Sequence, residues 1–532
     1  MPRRIERALI SVYDKHGLAD LGRALHGKGI EILSTGGTAS ALVEAGVPVR
    51  QVSDHTGSPE ILGGRVKSLH PAIHGGILAR RDDPDHMRQL TGQGFAAIDM
   101  VVVNLYPFEA TVAARENEPA AIIEMIDIGG PSMIRSAAKN HADVVVVTDP
   151  SDYAAIAEEI VRTGYVDAAT RRGLAEKAFA HTACYDARIA DWFRRTGSPG
   201  VAEPAGPTSP EGFPATLTLG LRKVADMRYG ENSHQGAALY ADPSDGVPGE
   251  APPAGPVTAA QLQGKELSFN NILDMDAAWA AAGEFEETAC VVVKHNTPSG
   301  VATAPTLVEA YRLARDCDPL SAFGGIVAVN RTLDAATAAE IAELFLEIVI
   351  APGYDAGALE ALRSKKNLRV MNAGAPPAPR RGWDFKRVAG GMLVQDRDTI
   401  DERPEEFRVV TRKAPTPDQM RSLVFAWKVG RHVKSNAIVY VRGTRTIGIG
   451  AGQMSRVDSA KIGVMKASED LGGSVMASDA FFPFRDGVDA AAESGVAAII
   501  QPGGAMRDKE VIAAADARGM AMVFTGRRHF RH

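Results

Sequence analysis

Short apolar runs separated by polar turns recur along the whole chain, and their spacing alternates between that of strands and that of helices. Ala8-Leu9-Ile10-Ser11-Val12 reads as a strand, Leu18, Leu21 and Leu25 fall at helical spacing, Ile30-Glu31-Ile32-Leu33 reads as a second strand, and Ala39 to Ala45 as a second helix. A third strand at Met100 to Val103, a helix at Ala120 to Ile126, a fourth strand at Val144 to Val147 and helices at Ser151 to Thr163 and Ala168 to Arg195 continue the alternation. That alternation predicts an α/β fold. Pro199, Pro204, Pro207, Pro210 and Pro214 then interrupt it, so a linker is expected at 196–215 between a first domain, 1–195, and a second, 216–532.

Beyond the linker the same grammar resumes. Met227 to Gln235 and Gly264 to Asn271 read as polar turns, and Asp242 to Pro256 as a Pro- and Gly-rich surface loop. Ala289-Cys290-Val291-Val292-Val293 has the unbroken β-branched character of a strand buried on both faces of a mostly parallel sheet. Lys294 and His295 stand at its carboxyl end, where open α/β sheets bind ligands. An ammonium beside an imidazole disfavours protonation of the ring, so His295 is expected to act as a neutral base near pH 7. A strand at Ile326 to Val329 precedes a predicted helix from Ala335 to Ile348; Glu347 lies in its apolar end, where a carboxylate is expensive to bury unpaired. Ala426 to Val433 reads as a helix, Asn436 to Val441 and Thr446 to Gly450 as paired strands, and Val475 to Ser478, Ala497 to Ile500 and Met520 to Phe524 as further strands.

Composition narrows the class. The 532 residues are 45% hydrophobic and 23% charged, with a formal charge of -6, so the chain has no global basic field for coating nucleic acid or anionic membrane. Cys184, Cys290 and Cys317 are scattered, without the paired spacing of a zinc cage or disulfide framework, and a reducing cytoplasm is expected. No apolar run has membrane-spanning length, and Met1 to Arg7 lacks a following apolar segment, so a soluble, unprocessed chain is expected.

Candidate chemistry gathers where elements end. Ser34-Thr35-Gly36-Gly37-Thr38 brings backbone N–H groups to a helix start, a ready anion site. Gly63-Gly64-Arg65-Val66-Lys67-Ser68-Leu69-His70-Pro71 packs cationic and hydroxyl donors into one loop. Asp479 to Asp486 sets aromatics beside charges, a platform for a flat heterocycle. The glycine spacings of a dinucleotide fingerprint and of a P-loop do not occur.

Taken together, Gly63 to Pro71, Asn104-Leu105-Tyr106-Pro107-Phe108, Ile126-Asp127-Ile128-Gly129-Gly130, Lys294-His295-Asn296-Thr297-Pro298-Ser299-Gly300 and Ser478 to Asp486 resemble the bifunctional purine-biosynthesis family that joins 5-aminoimidazole-4-carboxamide ribonucleotide (AICAR) transformylase to inosine monophosphate (IMP) cyclohydrolase. The likeness runs from Ser11 to the last residues. It implies a methylglyoxal-synthase-like doubly wound α/β domain at the N-terminus and a transformylase half made of two related cytidine-deaminase-like α/β subdomains. For ring closure it implies nucleotide contacts from Ser11, Lys15, Thr35, Gly36, Gly37, Thr38, Arg65, Ser68 and Asn104. At the reacting end it implies Lys67, Tyr106, Asp127 and Lys139, the last as proton shuttle. For formyl transfer from 10-formyltetrahydrofolate it implies His295 as proton acceptor and Lys294 as transition-state stabiliser. Arg228, Tyr229, Gly324, Glu347, Asn436, Phe481 and Arg528 would hold the nucleotide, and Arg456, Asp486, Ala505 and Met506 the folate. The resemblance further implies a homodimer, no metal, and AICAR, formyl-AICAR, IMP and folate as the small molecules handled. Ser233 and Tyr13 depart from the family's usual proline and serine. The rival expectations are a chain with only one of the two activities, and a nucleotide-responsive binding module without turnover.

Overall fold

Five short strands, β1 (Arg7–Val12), β2 (Glu31–Ser34), β3 (Arg50–Gln51), β4 (Met100–Asn104) and β5 (Val145–Val147), pair in the order β3-β2-β1-β4-β5, all parallel. Ala8 to Ile10, Val101 to Val103 and the whole of β5 are at most 2% exposed, as strands sandwiched between helix layers must be. This is a computed structural model describing residues 3–115, 118–196, 213–242, 254–378, 382–399 and 403–532. The chain divides into a unit of Met1–Leu221 with Asp242–Ala251 and a unit of Arg222–Ala241 with Pro252–His532. The expected linker and the loop at 242–256 fall largely outside the described residues. In the first unit the strand order reverses direction between β1 and β4, and the crevice at their carboxyl ends is the natural ligand position of such a sheet.

The second unit begins with a hairpin, β6 (Arg222–Met227) and β7 (Ala237–Ala241). There follow β8 (Ala260–Gln263), β9 (Ala289–Lys294), β10 (Thr297–Thr303), β11 (Ile326–Val329), β12 (Ile348–Ala351) and β13 (Arg369–Asn372). A further hairpin, β14 (Trp383–Val388) and β15 (Gly391–Asp396), precedes β16 (Arg408–Val409), β17 (Ile438–Arg442), β18 (Arg445–Gly450), β19 (Val475–Ser478), β20 (Ala498–Gln501) and β21 (Ala521–Phe524). Apart from the two hairpins these strands form one twelve-stranded sheet in the order β16-β21-β20-β19-β17-β18-β10-β9-β11-β12-β13-β8.

Two copies of one arrangement lie within that sheet. Each has a long helix (Phe269–Ala282; Pro417–Gly430), an antiparallel hairpin (β9 and β10; β17 and β18), a helix (Leu307–Arg315; Arg456–Met465), and a third strand antiparallel to the first (β11; β19). Two helix–strand units then add parallel strands (β12, β13; β20, β21). The first copy also carries a short helix, Pro319–Ala322. The copies meet at β10 and β18, which pair antiparallel through Ala302 and Arg445. Glu284 ties them across the seam: its carboxylate accepts from Arg431 Nη1 at 3.2 Å and from His432 Nε2 at 2.9 Å. Burial would raise this carboxyl, but the hydrogen bond and charge of His432 and the charges of Arg431 and Lys428 hold it at about 2.

Several expectations need correction. β9 is buried as expected, but both its neighbours are antiparallel, because it opens a hairpin and β11 runs back beside it. Glu347 is not helical: the helix Ala335–Glu343 ends before it, and Glu347 stands in a bend just before β12. The turn expected at Gly264 to Asn271 holds only to Ser268: its last three residues open the helix Phe269–Ala282, which begins with a capping box of Ser268 and Asn271. The helix placed at Ala426 to Val433 begins earlier, at Pro417, capped by Thr416 and Gln419 in the same way.

Candidate active sites

At the switch point of the first unit, Asn104 at the end of β4 clamps the loop that follows β1. Its Oδ1 accepts the Tyr13 and Asp14 N–H groups at 2.6 and 2.9 Å, and its Nδ2 donates to Asp14 O at 3.0 Å. Beside it, Thr38 Oγ1 accepts the Val12 N–H at 3.0 Å and donates to Val12 O at 2.9 Å, which locks the helix Gly36–Glu44 against β1 just beyond Ser11. Thr35 precedes that helix and donates to Glu60 at 2.6 Å. Gly36 has φ +56, and a Cβ placed there would meet Lys67 Nζ at 3.4 Å; one on Gly37 would lie 3.9 Å from Lys15 Nζ. Two ammonium groups therefore converge on a glycine pair at a helix N-terminus, an electrostatic cradle for a phosphate.

Ser68 and Asp127 crowd the next helix, Gly129–Lys139. A Cβ on Gly129 would fall 2.2 Å from Ser68 Oγ, and one on Gly130 would fall 2.5 Å from Asp127 Oδ2. Asp127 Oδ1 accepts the Gly130 N–H at 2.8 Å. Burial pushes the Asp127 carboxyl above its ordinary value, against the opposing pull of the Gly130 and Tyr106 backbone and the Lys67 charge. Tyr106 is raised by burial and by the nearby Asp127 charge, and its ring meets Tyr13 edge-on at 5.8 Å. Lys15, Lys67, Ser68, Tyr106 and Asp127 thus belong to one neighbourhood. Arg65, in the same loop as Lys67 and Ser68, is exposed and paired with Glu124 through Nε at 3.1 Å. Lys139 is the last residue of the helix that begins at Gly129, ten residues of rise, about 15 Å, along it.

The second unit's candidates lie along one rim of its large sheet. β9 ends there at Lys294; because Val293 pairs with Ile326, and Ile326 with Ile348, the starts of β11 and β12 lie on the same rim, with Gly324 and Glu347 just before them. Gly450 pairs with Ile438, and Ile438 with Ser478, so the end of β18, the start of β17 and the ends of β19, β20 and β21 continue it. That rim collects Asn436, Phe481, Arg456, Asp486, Ala505, Met506 and Arg528.

Its centre is the turn between β9 and β10. His295 and Asn296 both have positive φ, 52 and 61°, as a two-residue hairpin demands. Asp274 anchors them, accepting the Asn296 N–H at 2.6 Å and the His295 N–H at 3.3 Å, which leaves the exposed His295 ring free of the turn's own bonding. Lys294 Nζ donates to Phe323 O at 2.7 Å and lies 4.0 Å from where a Cβ on Gly324 would stand, so two further N–H donors face outward. Glu347 is paired: Arg369, 8% exposed, donates to it at 2.6 Å and gives its other donors to Glu266 O. Arg228 lies over the Tyr229 ring at 5.2 Å in the turn between β6 and β7. Arg456 donates to Asn436 Oδ1 at 2.7 Å and to Ser478 Oγ at 2.9 Å and is paired with Asp479. Met506 is fully exposed, and Asp486 accepts the Gly487 N–H at 2.8 Å.

Sequence reasoning passed over the supports of these groups. Asp274 sits among apolar neighbours on a helix hidden behind a presumed turn. Arg369 opens an apolar strand and Asp479 ends one. Tyr185, whose hydroxyl accepts the Asp127 N–H at 2.9 Å and donates to Met125 O at 3.2 Å, lies inside the long predicted helix Ala168 to Arg195. The usable signal in each case was a polar side chain where the pattern calls for burial. Among the described residues no cluster of three or more His, Cys, Asp or Glu side chains is arranged to hold a metal ion, and no helix is long and apolar enough to cross a membrane.

Known proteins resemble both parts of the chain. Residues 17–132 match the MGS-like domain model, and residues 137–466 match the model described as the AICARFT/IMPCHase bienzyme. Proteins named bifunctional purine biosynthesis protein PurH are similar to almost the whole chain. The one from Acidithiobacillus ferrooxidans is 54% identical over 99% of both chains. The one from Magnetococcus marinus is 54% identical over 99% of this chain and 100% of its own. That from Anaeromyxobacter dehalogenans is 54% identical over 99% of both. A solved structure described as "Crystal structure of ForH" covers 36% of this chain and 98% of its own at 36% identity, with a TM-score of 0.32, too low to bear on the fold. With an MGS-like doubly wound unit, a duplicated α/β unit and relatives at this identity over nearly its full length, the chain belongs to the AICARFT/IMPCHase bienzyme family of bifunctional purine-biosynthesis enzymes.

Proposed function

We propose that the chain completes IMP from AICAR in two steps, formyl transfer from 10-formyltetrahydrofolate on the second unit and dehydrative ring closure on the first. The observation that carries this reading is the single rim of the second unit on which Lys294, His295, Asn436 and Arg456 stand, together with the cationic cradle at Gly36 and Gly37 within the first unit.

In formyl transfer the 5-amino nitrogen of AICAR bonds to the formyl carbon as the bond from that carbon to folate N10 breaks. The amine is a poor nucleophile because its lone pair is delocalised into the ring, so His295 takes its proton during attack and returns it to the departing nitrogen. Lys294 directs its free N–H donors at the developing oxyanion. A guanidinium with exposed Met and Phe side chains suits a flat conjugated donor along the β17–β21 end. In ring closure the carboxamide nitrogen attacks the formyl carbon, and the formyl oxygen leaves as water with one proton from each nitrogen. Lys15, Gly36 and Gly37 hold the phosphate, Asp127 accepts the amide proton, and Lys67 and Tyr106 stabilise the oxygen.

The transformylase site is shared between two copies of the chain. Along the rim, Glu347 before β12 and Arg528 after β21 are eight strand spacings apart, about 38 Å, several times the reach of a nucleotide. Residues so spread serve one substrate if one copy supplies the β9–β12 group and the other the β17–β21 group. We place the enzyme in the cytoplasm, where its unpaired cysteines stay reduced.

His295→Ala is expected to lower formyl transfer by about a thousandfold and leave ring closure of supplied formyl-AICAR intact; Lys67→Ala should do the reverse. Separate assays of the two steps check this, and a His295→Ala enzyme with near wild-type formyl transfer would overturn the assignment.

A further inference from the structure

The duplicated arrangement allows equivalent positions to be compared, and one pair differs in a way that bears on the site. Asn330 follows β11 and Asp479 follows β19. Both donate their backbone N–H to the residue at the head of the first strand, Asn330 to Ala289 O at 3.4 Å and Asp479 to Ala437 O at 3.3 Å, so the frame is the same. The side chains are used differently. The Asn330 side chain bonds to main chain: its Oδ1 accepts the Ala289 N–H at 2.9 Å, and its Nδ2 donates to Phe285 O and Glu287 O at 2.8 and 2.7 Å. The carboxylate of Asp479, wholly buried, instead accepts from the Ser435 hydroxyl and from Arg456.

The partner position has changed with it. The helix after each hairpin opens on the matched residue: Leu307, 4% exposed, in the first copy, and Arg456 in the second. An apolar residue and an amide therefore satisfy this frame, and folding does not call for the ion pair. What the pair adds is direction. With one nitrogen held by Asp479 and Ser478, the Arg456 guanidinium extends its other nitrogen to Asn436 Oδ1, while Asn436 Nδ2 donates to Gln453 O at 2.8 Å. Asp479 also accepts the His529 N–H through its own carbonyl at 3.0 Å, and Ser435 bonds Arg531 in both directions, so the segment bearing Arg528 is fastened to the same residues.

We propose that Asp479 is a positioning residue for formyl transfer: its buried carboxylate aims Arg456 at Asn436, so that the nucleotide-side and folate-side contacts are set as one unit. This rests on the assignment of Asn436 and Arg456 to the transformylase site. Asp479 does not touch substrate; it acts through Arg456.

Asp479→Asn keeps the shape and an acceptor for Ser435 but removes the charge and can turn a donor toward Arg456. In the full-length enzyme it should raise KM for AICAR and for 10-formyltetrahydrofolate together, each by about tenfold or more, with kcat changed less than about threefold. Ring closure of supplied formyl-AICAR should be unchanged. Arg456→Lys keeps the charge but cannot reach Asp479 and Asn436 at once, so it should raise both KM values as well. The double variant should be no worse than the worse single variant, because the two residues act in series. Wild-type KM values in Asp479→Asn, a loss confined to kcat, or effects that multiply in the double variant would each overturn the proposal. If Asp479→Asn lacks a cooperative melting transition, Arg456→Lys decides alone, and unchanged KM values there overturn it. His295→Ala, assayed alongside, separates the two levels: an active His295→Ala enzyme sinks the site assignment itself, whereas an inactive one beside an unshifted Asp479→Asn sinks only the role given to Asp479.

Discussion

Asp127 sits where burial and hydrogen bonding oppose each other, and burial prevails, holding the carboxyl above its ordinary value. A group raised in this way stabilises the fold at pH below the ordinary carboxylate range and loses that contribution as pH climbs through its folded value, so at neutral pH the ionised side chain is a burden. Asp127→Asn should therefore melt higher than the parent protein at pH 7, with the gap closing as the pH falls below about 4. The same substitution removes the proton acceptor for ring closure and with it the acid limb of the rate profile, which in the parent lies above the usual carboxylate value. Thermal melts and ring-closure rates across the same pH series check both. An unchanged acid limb in the variant would remove Asp127 from the mechanism.

Close contact between strand and helix recurs in both copies of the duplicated arrangement, at neighbouring positions of the strand. A Cβ on Gly300 of β10 would fall 1.8 Å from Ala314 O, and one on Gly450 of β18 would fall 1.8 Å from Ser459 O. Backbone cannot step aside as a side-chain tip can, so Gly450→Ala should destabilise the second unit by about 3 kcal/mol. Because the helix displaced is the one that presents Arg456, formyl transfer should fall with it while ring closure persists; denaturant titration and the paired assays measure the two effects. Much at this scale was legible from the amino acids. The Val- and Ile-rich runs of β1, β4, β9 and β20 announce buried strands, and the hairpin of β17 and β18 shows in its two apolar stretches. Strand direction was not legible, since a buried antiparallel strand has the same apolar composition as a parallel one. Glu347 was drawn into a helix because Leu344 and Leu346 extend the apolar pattern past the true end at Glu343. Lys294, His295, Lys67 and the glycine pair at 36–37 were visible because they interrupt regular patterns; Asp479, Asp274 and Arg369 were not, because only tertiary structure reveals what each one holds.

For the whole molecule, the length of the rim leads to a mixing experiment. If the formyl-transfer site is built from two copies, as proposed, His295→Ala and Asn436→Ala disable its opposite halves, and each alone should be inactive in formyl transfer. Co-refolded at equal concentration, half of the resulting dimers would be mixed, and each mixed dimer would hold one intact site of two; about a quarter of wild-type activity should return. No recovery, or a particle mass of a single chain by light scattering, would argue for a site complete in one copy.

The antiparallel seam between β10 and β18 has one more consequence. It turns the second copy over relative to the first, so doubling the arrangement did not double the pocket. The far margin of the sheet has the backbone of the working one but the residues of a bystander, with Leu307 and Asn330 where Arg456 and Asp479 would be. The enzyme thus contains its own blank, a built-in reference surface against which each substitution on the working side can be judged.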